Sequence, residues 1–239
     1  MTTISQAIIG HVKDEGFAAV AADETKTALG AAWTDWDSFA SSWNELPEDG
    51  YMADGGRYRR RRYAVFDIRD GIVSRAPHQP HFQASVYNRL NGGLERWFAP
   101  VEPTVAEHPL LRGLLLFLKD LCGNLAGNRT TPPAWHVEVH QFRIEASIAA
   151  QGQPTPEGAH RDGVDYAFVM MVRRRNVSQG VTQIFAPDGT AMGSFTLSEP
   201  GDATFIDDHR IFHGVTPIAP TRPDENAVRD VLVVTFTRQ

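Results

Sequence analysis

Cysteine and long apolar runs are scarce in this chain of 239 residues. Its one cysteine, Cys122, excludes an intrachain disulfide, and we expect a structural thiol just past the apolar, helix-like run 110–119. No run reaches the length of a membrane-spanning helix, and residues 1–11 lack the basic region and apolar core of a signal peptide. These absences predict a cytoplasmic protein that has no membrane partner.

Positive charge is also in deficit. The chain has 23 Lys plus Arg against 29 Asp plus Glu, which gives a formal net charge of −6. The run RYRRRRY at 57–63 is of a kind that can contact nucleic acid. The acidic chain as a whole would repel a polyanion, so we expect no nucleic-acid partner.

The same basic run alternates between two faces if it forms a strand. Arg57, Arg59 and Arg61 then point to one side, and the residues between them point to the other. One face could present guanidinium groups to an anion inside a pocket. The run could equally be an edge strand whose charges prevent aggregation. Both interpretations fit the sequence.

The order of the periodic segments predicts the fold class. Helical spacing appears at 4–16, 24–46 and 110–121, and strand-like segments appear near 57–68, 135–147, 164–173, 181–186, 192–197, 202–206, 211–216 and 229–237. This order predicts a mainly β protein with flanking helices and a double-stranded β-helix core, which is a cupin-like jelly-roll. We expect one domain over 1–239, with a helical part at about 1–50 and the core at about 55–239.

A metal-ligand pattern lies in the second half of the chain. His160 and Asp162 are one residue apart, so in a strand both point to the same side. A later strand carries His213 and can face the first across a barrel. Two histidines and one carboxylate can hold Fe(II) on one face of an octahedron and leave the other positions open. The pattern predicts an iron site, although His213 alone could be a buried, hydrogen-bonded histidine.

Arg229 begins RDVLVVTF, one of the most strand-like runs in the chain. A guanidinium group at the mouth of such a strand can bind a carboxylate through two parallel hydrogen bonds. The expected ligand of Arg229 is the far carboxylate of a dicarboxylic co-substrate. A structural ion pair between Arg229 and Asp230 is the alternative.

A competing metal set consists of His136, Glu138 and His140, which share one face of a strand. Three consecutive positions on one face span a long stretch, so they converge on an ion less readily than a pair joined by a distant histidine. The run DDHR at 207–210 is typical of a solvated turn, and this makes His209 a weak candidate.

Four motifs carry a resemblance to a known family: VHQFR at 139–143, HRD at 160–162, FHGVTP at 212–217 and RDVLVVTF at 229–236. In these motifs and their order, the chain resembles the Fe(II)- and 2-oxoglutarate-dependent dioxygenases. It is most similar to the bacterial branch that hydroxylates free aliphatic L-amino acids, the L-isoleucine 4-hydroxylase-like enzymes. The N-terminal half matches through its length and the segment that begins at Arg57.

The resemblance implies that His160, Asp162 and His213 bind Fe(II) and that Arg229 binds the far carboxylate of 2-oxoglutarate. The implied reaction consumes O2, releases succinate and CO2, and hydroxylates an unactivated carbon of a free L-amino acid. Ascorbate is expected to stimulate it. Related halogenases replace the carboxylate with a small residue, so Asp162 favours hydroxylation, or a desaturation or sulfoxidation.

Three arginines are candidates for binding the substrate. The resemblance places the basic run near the amino-acid site, so Arg57 or Arg59 is expected to hold the substrate carboxylate. Arg143 is a further candidate, because polar groups that point into a barrel need partners. A bound substrate would supply such a partner, and so would a structural network.

Two other functions stay open on the sequence alone. The protein could be a 2-oxoglutarate oxygenase of a peptide, a carrier-bound amino acid or a natural-product intermediate. It could also be a non-catalytic jelly-roll protein that binds a metal or small ligand, because fold does not fix function. The sequence is compatible with a homo-oligomer. Residues 151–158 could form a lid over the pocket or a simple connector.

Overall fold

The computed structural model describes residues 2–127 and 133–239. The α-helices of the described chain lie within residues 3–125 and are α1 (Thr3–Glu15), α2 (Ala22–Leu29), α3 (Trp36–Ser41), α4 (Pro103–Ala106) and α5 (Pro109–Leu125). The strands are β1 (Phe17–Val20), β2 (Arg59–Arg69), β3 (Ile72–Arg75), β4 (His81–Phe82), β5 (Glu95–Arg96), β6 (Trp135–Ala146), β7 (Tyr166–Arg175), β8 (Val177–Gln179), β9 (Thr182–Phe185), β10 (Ala191–Phe195), β11 (Ala203–Asp207), β12 (Phe212–Val215), β13 (Ile218–Pro220) and β14 (Ala227–Arg238).

The helical first part is more broken than the sequence predicts. Helix α1 begins at a Thr2 cap, whose side chain accepts a hydrogen bond from the Ser5 N–H at 3.2 Å. The prediction of a single helix over 24–46 is wrong. It is divided into α2, a 3₁₀ turn at Gly30–Ala32, α3 and a second 3₁₀ turn at Ser42–Glu45. Asp35 has a φ of 48°, and this left-handed conformation separates α2 from α3.

The main sheet has seven antiparallel strands in the order β1-β11-β7-β14-β6-β2-β3. A smaller antiparallel sheet has the order β10-β9-β12. Each of the predicted strand segments overlaps an observed strand, whereas six short strands, β1, β3, β4, β5, β8 and β13, were not expected. The mainly β prediction is confirmed, and the two sheets with flanking helices form the expected jelly-roll core.

The two faces of β6 meet different surroundings, because side chains alternate along a strand. Trp135, Val137 and Val139 pack in the main hydrophobic core together with the apolar face of α5. The residues between them line a cavity. Cys122 lies within α5 in this core and is fully buried. The structural thiol is therefore confirmed, although the helix extends beyond it to Leu125.

The cavity lies between the two sheets and has a volume of about 410 Å³. Its walls come from β2, β6, β7, β11 and β14 of the main sheet and from β9 and β12 of the smaller one. This volume suits a small molecule. Among the described helices, none is both long and apolar enough to cross a membrane.

Candidate active site

His160, Asp162 and His213 converge at one wall of the cavity. Nε2 of His160 lies 3.5 Å from Oδ1 of Asp162, and Nε2 of His213 lies 3.8 Å from Oδ2 of the same carboxylate. One ligand atom from each residue falls within 4.8 Å of the other two. We call this group the metal triad. Its two imidazoles and one carboxylate are the donor set of a facial iron site.

The triad is assembled differently from the sequence expectation. His160 forms an isolated β-bridge directly with His213, so the two histidines lie on adjacent segments and not on opposite walls of a barrel. Asp162 lies in the loop before β7, outside any strand. The two-residue strand period therefore does not explain its direction.

Asp208 holds Asp162 in place. Its carboxylate accepts hydrogen bonds from the backbone N–H groups of Asp162 at 2.9 Å, Gly163 at 2.7 Å and Val164 at 3.1 Å. Asp208 is 2% exposed, so its assignment to a solvated turn was wrong. His209, the next residue, is exposed and contacts Asp165 outside the triad.

The protonation states suit a metal. Nδ1 of His160 donates to the Gly158 carbonyl at 3.0 Å, which leaves Nε2 facing the triad. Burial lowers the pKa of His213 to about 4, so this imidazole is neutral. Burial acts to lower the pKa of His160 as well, but the hydrogen bond and charge of Asp162 outweigh burial and raise it to about 9. A metal ion would displace this proton.

A second group, His81, Glu138 and His140, also has donor atoms within 4.8 Å of one another. Nη2 of Arg61 lies 2.6 Å from Nδ1 of His140. Arginine has no acceptor, so Nδ1 accepts and the proton of this neutral imidazole is on Nε2. That nitrogen faces Glu138 at 3.6 Å and has no lone pair for a metal.

Glu138 instead lies at the centre of a hydrogen-bond network. It accepts from the Tyr63 hydroxyl at 2.6 Å and from Nδ1 of His81 at 3.0 Å. Nε2 of His136 lies farther away, at 3.7 Å. The competing set predicted from the sequence is thus a network around a carboxylate, and His81 replaces His136 as its close partner.

Arg229 lines the cavity from β14 and is 2% exposed. Burial, together with the nearby charge of Arg174, lowers its pKa to about 10, which leaves it charged at neutral pH. Its Nε has no hydrogen-bond partner within residues 2–127 and 133–239. Asp230 points to the other face of β14 and binds Arg143, so the alternative pair of Arg229 with Asp230 does not form.

Two arginines of the basic run do face the cavity, as the alternation predicts. Arg59 and Arg61 are joined there by Arg96 of β5, and all three are buried. We call them the arginine cluster. The carboxylate of Asp49 lies 2.7 Å from Nε of Arg59 and 3.8 Å from Nη1 of Arg61. In the described parts of the chain, it is the one carboxylate that forms an ion pair with the cluster.

The plane of Arg61 is held by aromatic rings. Its guanidinium carbon lies 3.6 Å from the ring centre of Phe98 and 4.3 Å from that of Phe142. Such cation–π contacts fix the direction of the remaining donors. Among residues the structure describes, Nη2 of Arg59, Nε of Arg61 and Nε of Arg96 have no hydrogen-bond partner. The cluster therefore has buried donors that a bound anion could satisfy.

Arg57 and Arg143 do not reach the cavity. Arg57 precedes β2, its side chain is 81% exposed, and its Nη2 lies 3.0 Å from Glu48. Arg143 shares the helix-facing side of β6, where it makes two 2.7 Å hydrogen bonds to Asp230 and a third to Asn44. Strand alternation sends it away from the cavity, and a structural network satisfies its donors.

Several cavity residues were not named as site candidates from the sequence. The alternation placed Arg61 on the same face as Arg59, but only Arg57 and Arg59 of the basic run were named as substrate-binding candidates. Arg96 lies in β5, and Gln83 directly follows β4. Each of these strands has only two residues, which is too short to show a periodic sequence pattern. Gln83 donates to the backbone carbonyl of Asp162 at 3.1 Å, which links this region to the triad. Glu157, in the predicted loop, lies beside His160 without any sequence signal.

Comparisons with known proteins agree with this geometry. Residues 40–235 match a family profile described as 2OG-Fe dioxygenase. The chain is 26% identical over 199 residues to an L-isoleucine-4-hydroxylase of Bacillus thuringiensis, a match that covers 80% of this chain and 78% of the relative. It is 21% identical over 239 residues to a 3(1)-hydroxy-L-isoleucine 4-dioxygenase of Pantoea ananatis, covering 95% and 94% of the two chains.

A solved structure extends the similarity to the whole fold. A bsmA homolog from Methylobium petroleophilum PM1 superposes with a TM-score of 0.89 at 33% identity. The match covers 98% of this chain and 92% of the homolog.

Proposed function

The chain belongs to the 2OG-Fe dioxygenase family, and from this premise we propose that it hydroxylates an unactivated carbon of a free aliphatic L-amino acid. The reaction uses Fe(II), 2-oxoglutarate and O2 and releases succinate and CO2. One observation carries the proposal. A single cavity of small-molecule size holds a metal triad, one buried arginine on β14 and a separate arginine cluster.

His160, Asp162 and His213 are the proposed iron ligands. Their fit rests on the ligand chemistry, because the interactions of Asp162 with both histidines lower its pKa despite burial and keep it ionised. His213 is neutral, and Nε2 of His160 is oriented by the bond from Nδ1 to Gly158. When bound, iron with 2-oxoglutarate and O2 supplies the oxidising power for attack on a C–H bond.

Arg229 is the proposed partner of the far carboxylate of 2-oxoglutarate. The inward side chains that follow it on β14 are Val231 and Val233, and these also line the cavity. They give the cavity apolar surface beside Arg229. In such a site, the buried guanidinium binds a carboxylate through two charge-assisted hydrogen bonds.

The arginine cluster is the proposed partner of a second carboxylate, that of the substrate. Arg59 and Arg229 both pair with Ile144, from opposite sides of β6. Two strand spacings separate their Cα atoms by about 10 Å, and Ile144 lies between them on the cavity-facing side of the sheet. We therefore assign the two arginines to different carboxylate groups. Arg59 is therefore retained as a substrate-binding residue and joined by Arg61 and Arg96, whereas Arg57 and Arg143 are not proposed for this role.

The apolar lining of the cavity is suited to an aliphatic side chain. Phe142 and Ile144 lie on β6, between β2 and β14, and Val169 and Ile206 lie on β7 and β11, on the other side of β14. Burial of aliphatic groups there is favourable at roughly 25 cal/mol per Å². The names of the two curated relatives refer to L-isoleucine and a hydroxylated isoleucine, which supports an aliphatic amino acid as substrate.

We also propose that residues 1–239 form a single dioxygenase domain. The main hydrophobic core contains Ile8 from α1, Leu114 from α5 and Val137 from β6, so the helical part and the sheet share one core. Ascorbate is expected to stimulate turnover by keeping the iron reduced.

The test is succinate release from 2-oxoglutarate with Fe(II), O2 and ascorbate, across a panel of free L-amino acids and short peptides. We expect stimulation by one or a few aliphatic amino acids, and a hydroxylated product of the added amino acid by mass spectrometry. His160→Ala is the matched inactive control. Stimulation by peptides alone, or binding of amino acid without succinate, would contradict the proposal.

A further inference from the structure

Glu157 is a buried carboxylate that faces the cavity beside the metal triad. Its side chain is 10% exposed, and Oε1 lies 3.6 Å from Nε2 of His160. Oε2 is buried and has no hydrogen-bond partner in the described ranges 2–127 and 133–239. An unpaired buried carboxylate is costly, which points to a missing partner of positive charge.

The backbone around Glu157 is anchored. The Thr155 hydroxyl accepts from the Val215 N–H at 2.9 Å and donates to the Val215 carbonyl at 3.1 Å. The Gly158 N–H donates to the Thr155 carbonyl at 2.9 Å, which closes a turn around Glu157. Val215 lies two residues after His213 on β12. The segment is thus tied to the metal triad, and the carboxylate has a defined position.

His160 cannot serve as the cationic partner in the working enzyme. Its Nε2 faces the triad, and a metal ligand at that nitrogen must be deprotonated. No arginine forms an ion pair with Glu157 in the described structure. Glu138, another carboxylate that lines the cavity, already accepts hydrogen bonds from Tyr63 and His81. Glu157 therefore keeps unused acceptor capacity next to the reaction centre.

We propose that Glu157 binds the ammonium group of the substrate amino acid. This inference rests on the proposed function and adds the way in which the enzyme recognises a free amino acid. The arginine cluster binds the carboxylate, and Glu157 binds the ammonium group, so both charges of the zwitterion meet buried opposite charges. No residue of a peptide carries both charges, an N-acyl amino acid lacks the ammonium charge, and a carrier-bound amino acid lacks the carboxylate charge.

Charge balance supports this division. The arginine cluster has three positive charges and one ion-paired carboxylate, Asp49, which leaves positive charge for the carboxylate of a substrate. Glu157 forms no ion pair with an arginine among the described residues, although its charge acts on Arg96 from a greater distance, and it is available to an ammonium group. A buried charge is tolerated when it is paired, and binding of a zwitterion pairs both.

The experiment measures binding to the enzyme loaded with Fe(II) and 2-oxoglutarate, without O2, by calorimetry. The two ligands are the amino acid that stimulates succinate release and its analogue with hydrogen in place of the ammonium group. The wild-type enzyme should prefer the amino acid. Glu157→Gln should weaken amino-acid binding by about 30-fold or more, the lower range for breaking a buried charge pair. Binding of the analogue should not weaken.

Two variants keep the result interpretable. Glu107→Gln makes the same charge change at an exposed position, and its ligand preference should equal that of the wild type. Glu157→Asp keeps the charge on a shorter side chain and should retain part of the preference. If Glu157→Gln does not hold iron and 2-oxoglutarate, the preference is measured in Glu157→Asp, where it should fall.

The outcomes separate the two proposals. A wild type that binds and oxidises an amino acid, with an unchanged ligand preference in the Glu157 variants, overturns the role of Glu157 and leaves the proposed function standing. Loss of iron binding in Glu157→Gln with an unchanged preference in Glu157→Asp assigns Glu157 to the metal and also overturns its role. A wild type that binds no free amino acid overturns both proposals.

Discussion

His160 and His213 are joined by two backbone hydrogen bonds, from each N–H to the carbonyl of the other residue, and both are 2.9 Å long. Gly214 allows this close approach, since a Cβ there would lie 3.2 Å from Cα of Ala159. The spacing of two of the proposed metal ligands is thus fixed by the backbone, and the third proposed ligand, Asp162, is held by Asp208. Such outer partners orient metal ligands in general.

Asp208→Ala should weaken both the metal site and the fold. The change removes the acceptor of three backbone N–H groups, and hydrogen bonds to a charged group contribute about 1.5–3 kcal/mol each. We expect a loss of at least about 2 kcal/mol in unfolding free energy and a 10- to 100-fold loss in metal affinity, by the general effect of such partners. Denaturant unfolding and metal titration measure the two effects. Asp188→Ala, in an exposed turn, is the control; equal metal affinity in both variants would contradict the positioning role.

Arg229→Lys should weaken 2-oxoglutarate binding and leave metal binding unchanged. Lysine keeps the positive charge but loses the two parallel donors that match a carboxylate. We expect at least about a tenfold loss in affinity, the equivalent of 1.4 kcal/mol. Arg175→Lys, at the same end of the sheet with a 59% exposed side chain, is the matched control. Calorimetric titration of the metal-loaded variants with 2-oxoglutarate checks this, and wild-type affinity in Arg229→Lys would exclude the assigned contact.

The sequence predicts the position of a site residue where that position depends on the spacing of residues within one strand. The alternation along β2 placed Arg59 inward, and the strand run of β14 placed Arg229 at the cavity. The same reasoning could not locate Arg96, because β5 has two residues and its position depends on pairing with β4 alone. Sequence reasoning wrongly placed Arg143 in the cavity. The alternation along β6 defines two faces of the strand, but it does not say which face the helices cover.

The loop residues of the site show a second limit. Asp208 and Glu157 are acidic residues in turn-like segments, and their local sequence is typical of solvated turns. Their burial comes from long-range contacts, with the backbone at 162–164 in one case and with the anchored turn near Val215 in the other. The helix expected over 24–46 failed for a related reason, because Asp35 adopts a left-handed conformation that apolar spacing does not reveal.

The stability contribution of Asp49 should depend on pH. Burial raises the pKa of this carboxyl, but the charges of Arg59 and Arg61 and a hydrogen bond from Tyr51 outweigh burial and lower it below its usual 3.8. An acid with a lowered folded-state pKa stabilises the fold above the unfolded-state pKa and loses this effect as pH falls through the folded-state pKa.

Asp49→Asn should therefore be less stable than the wild type at pH 7, and the difference should shrink below about pH 4. Urea unfolding at several pH values measures it. Asp23→Asn, at a side chain that is 98% exposed, should show little difference at any pH. If the difference in unfolding free energy between wild type and Asp49→Asn grows on acidification, the predicted direction of the pH dependence is wrong.

Trp43→Phe tests whether the helical part and the sheet unfold together. Nε1 of Trp43 lies 3.1 Å from the carbonyl oxygen of Phe142 on β6 and 3.3 Å from that of Val231 on β14, and the ring is fully buried. Loss of this donor and of packing volume should cost about 2 kcal/mol. We expect one cooperative transition shifted to lower urea, with Trp97→Phe, at an exposed ring, as control. A separate early transition of the helical part would contradict the single domain.

The most direct test of the iron site is a crystal structure of the protein with Mn(II) in place of Fe(II) and with 2-oxoglutarate. We predict one metal peak in anomalous scattering, bound by Nε2 of His160, a carboxylate oxygen of Asp162 and Nε2 of His213, with the far carboxylate of 2-oxoglutarate on Arg229. A metal bound by His81, Glu138 and His140 instead, or a triad without metal at saturating Mn(II), would contradict the account.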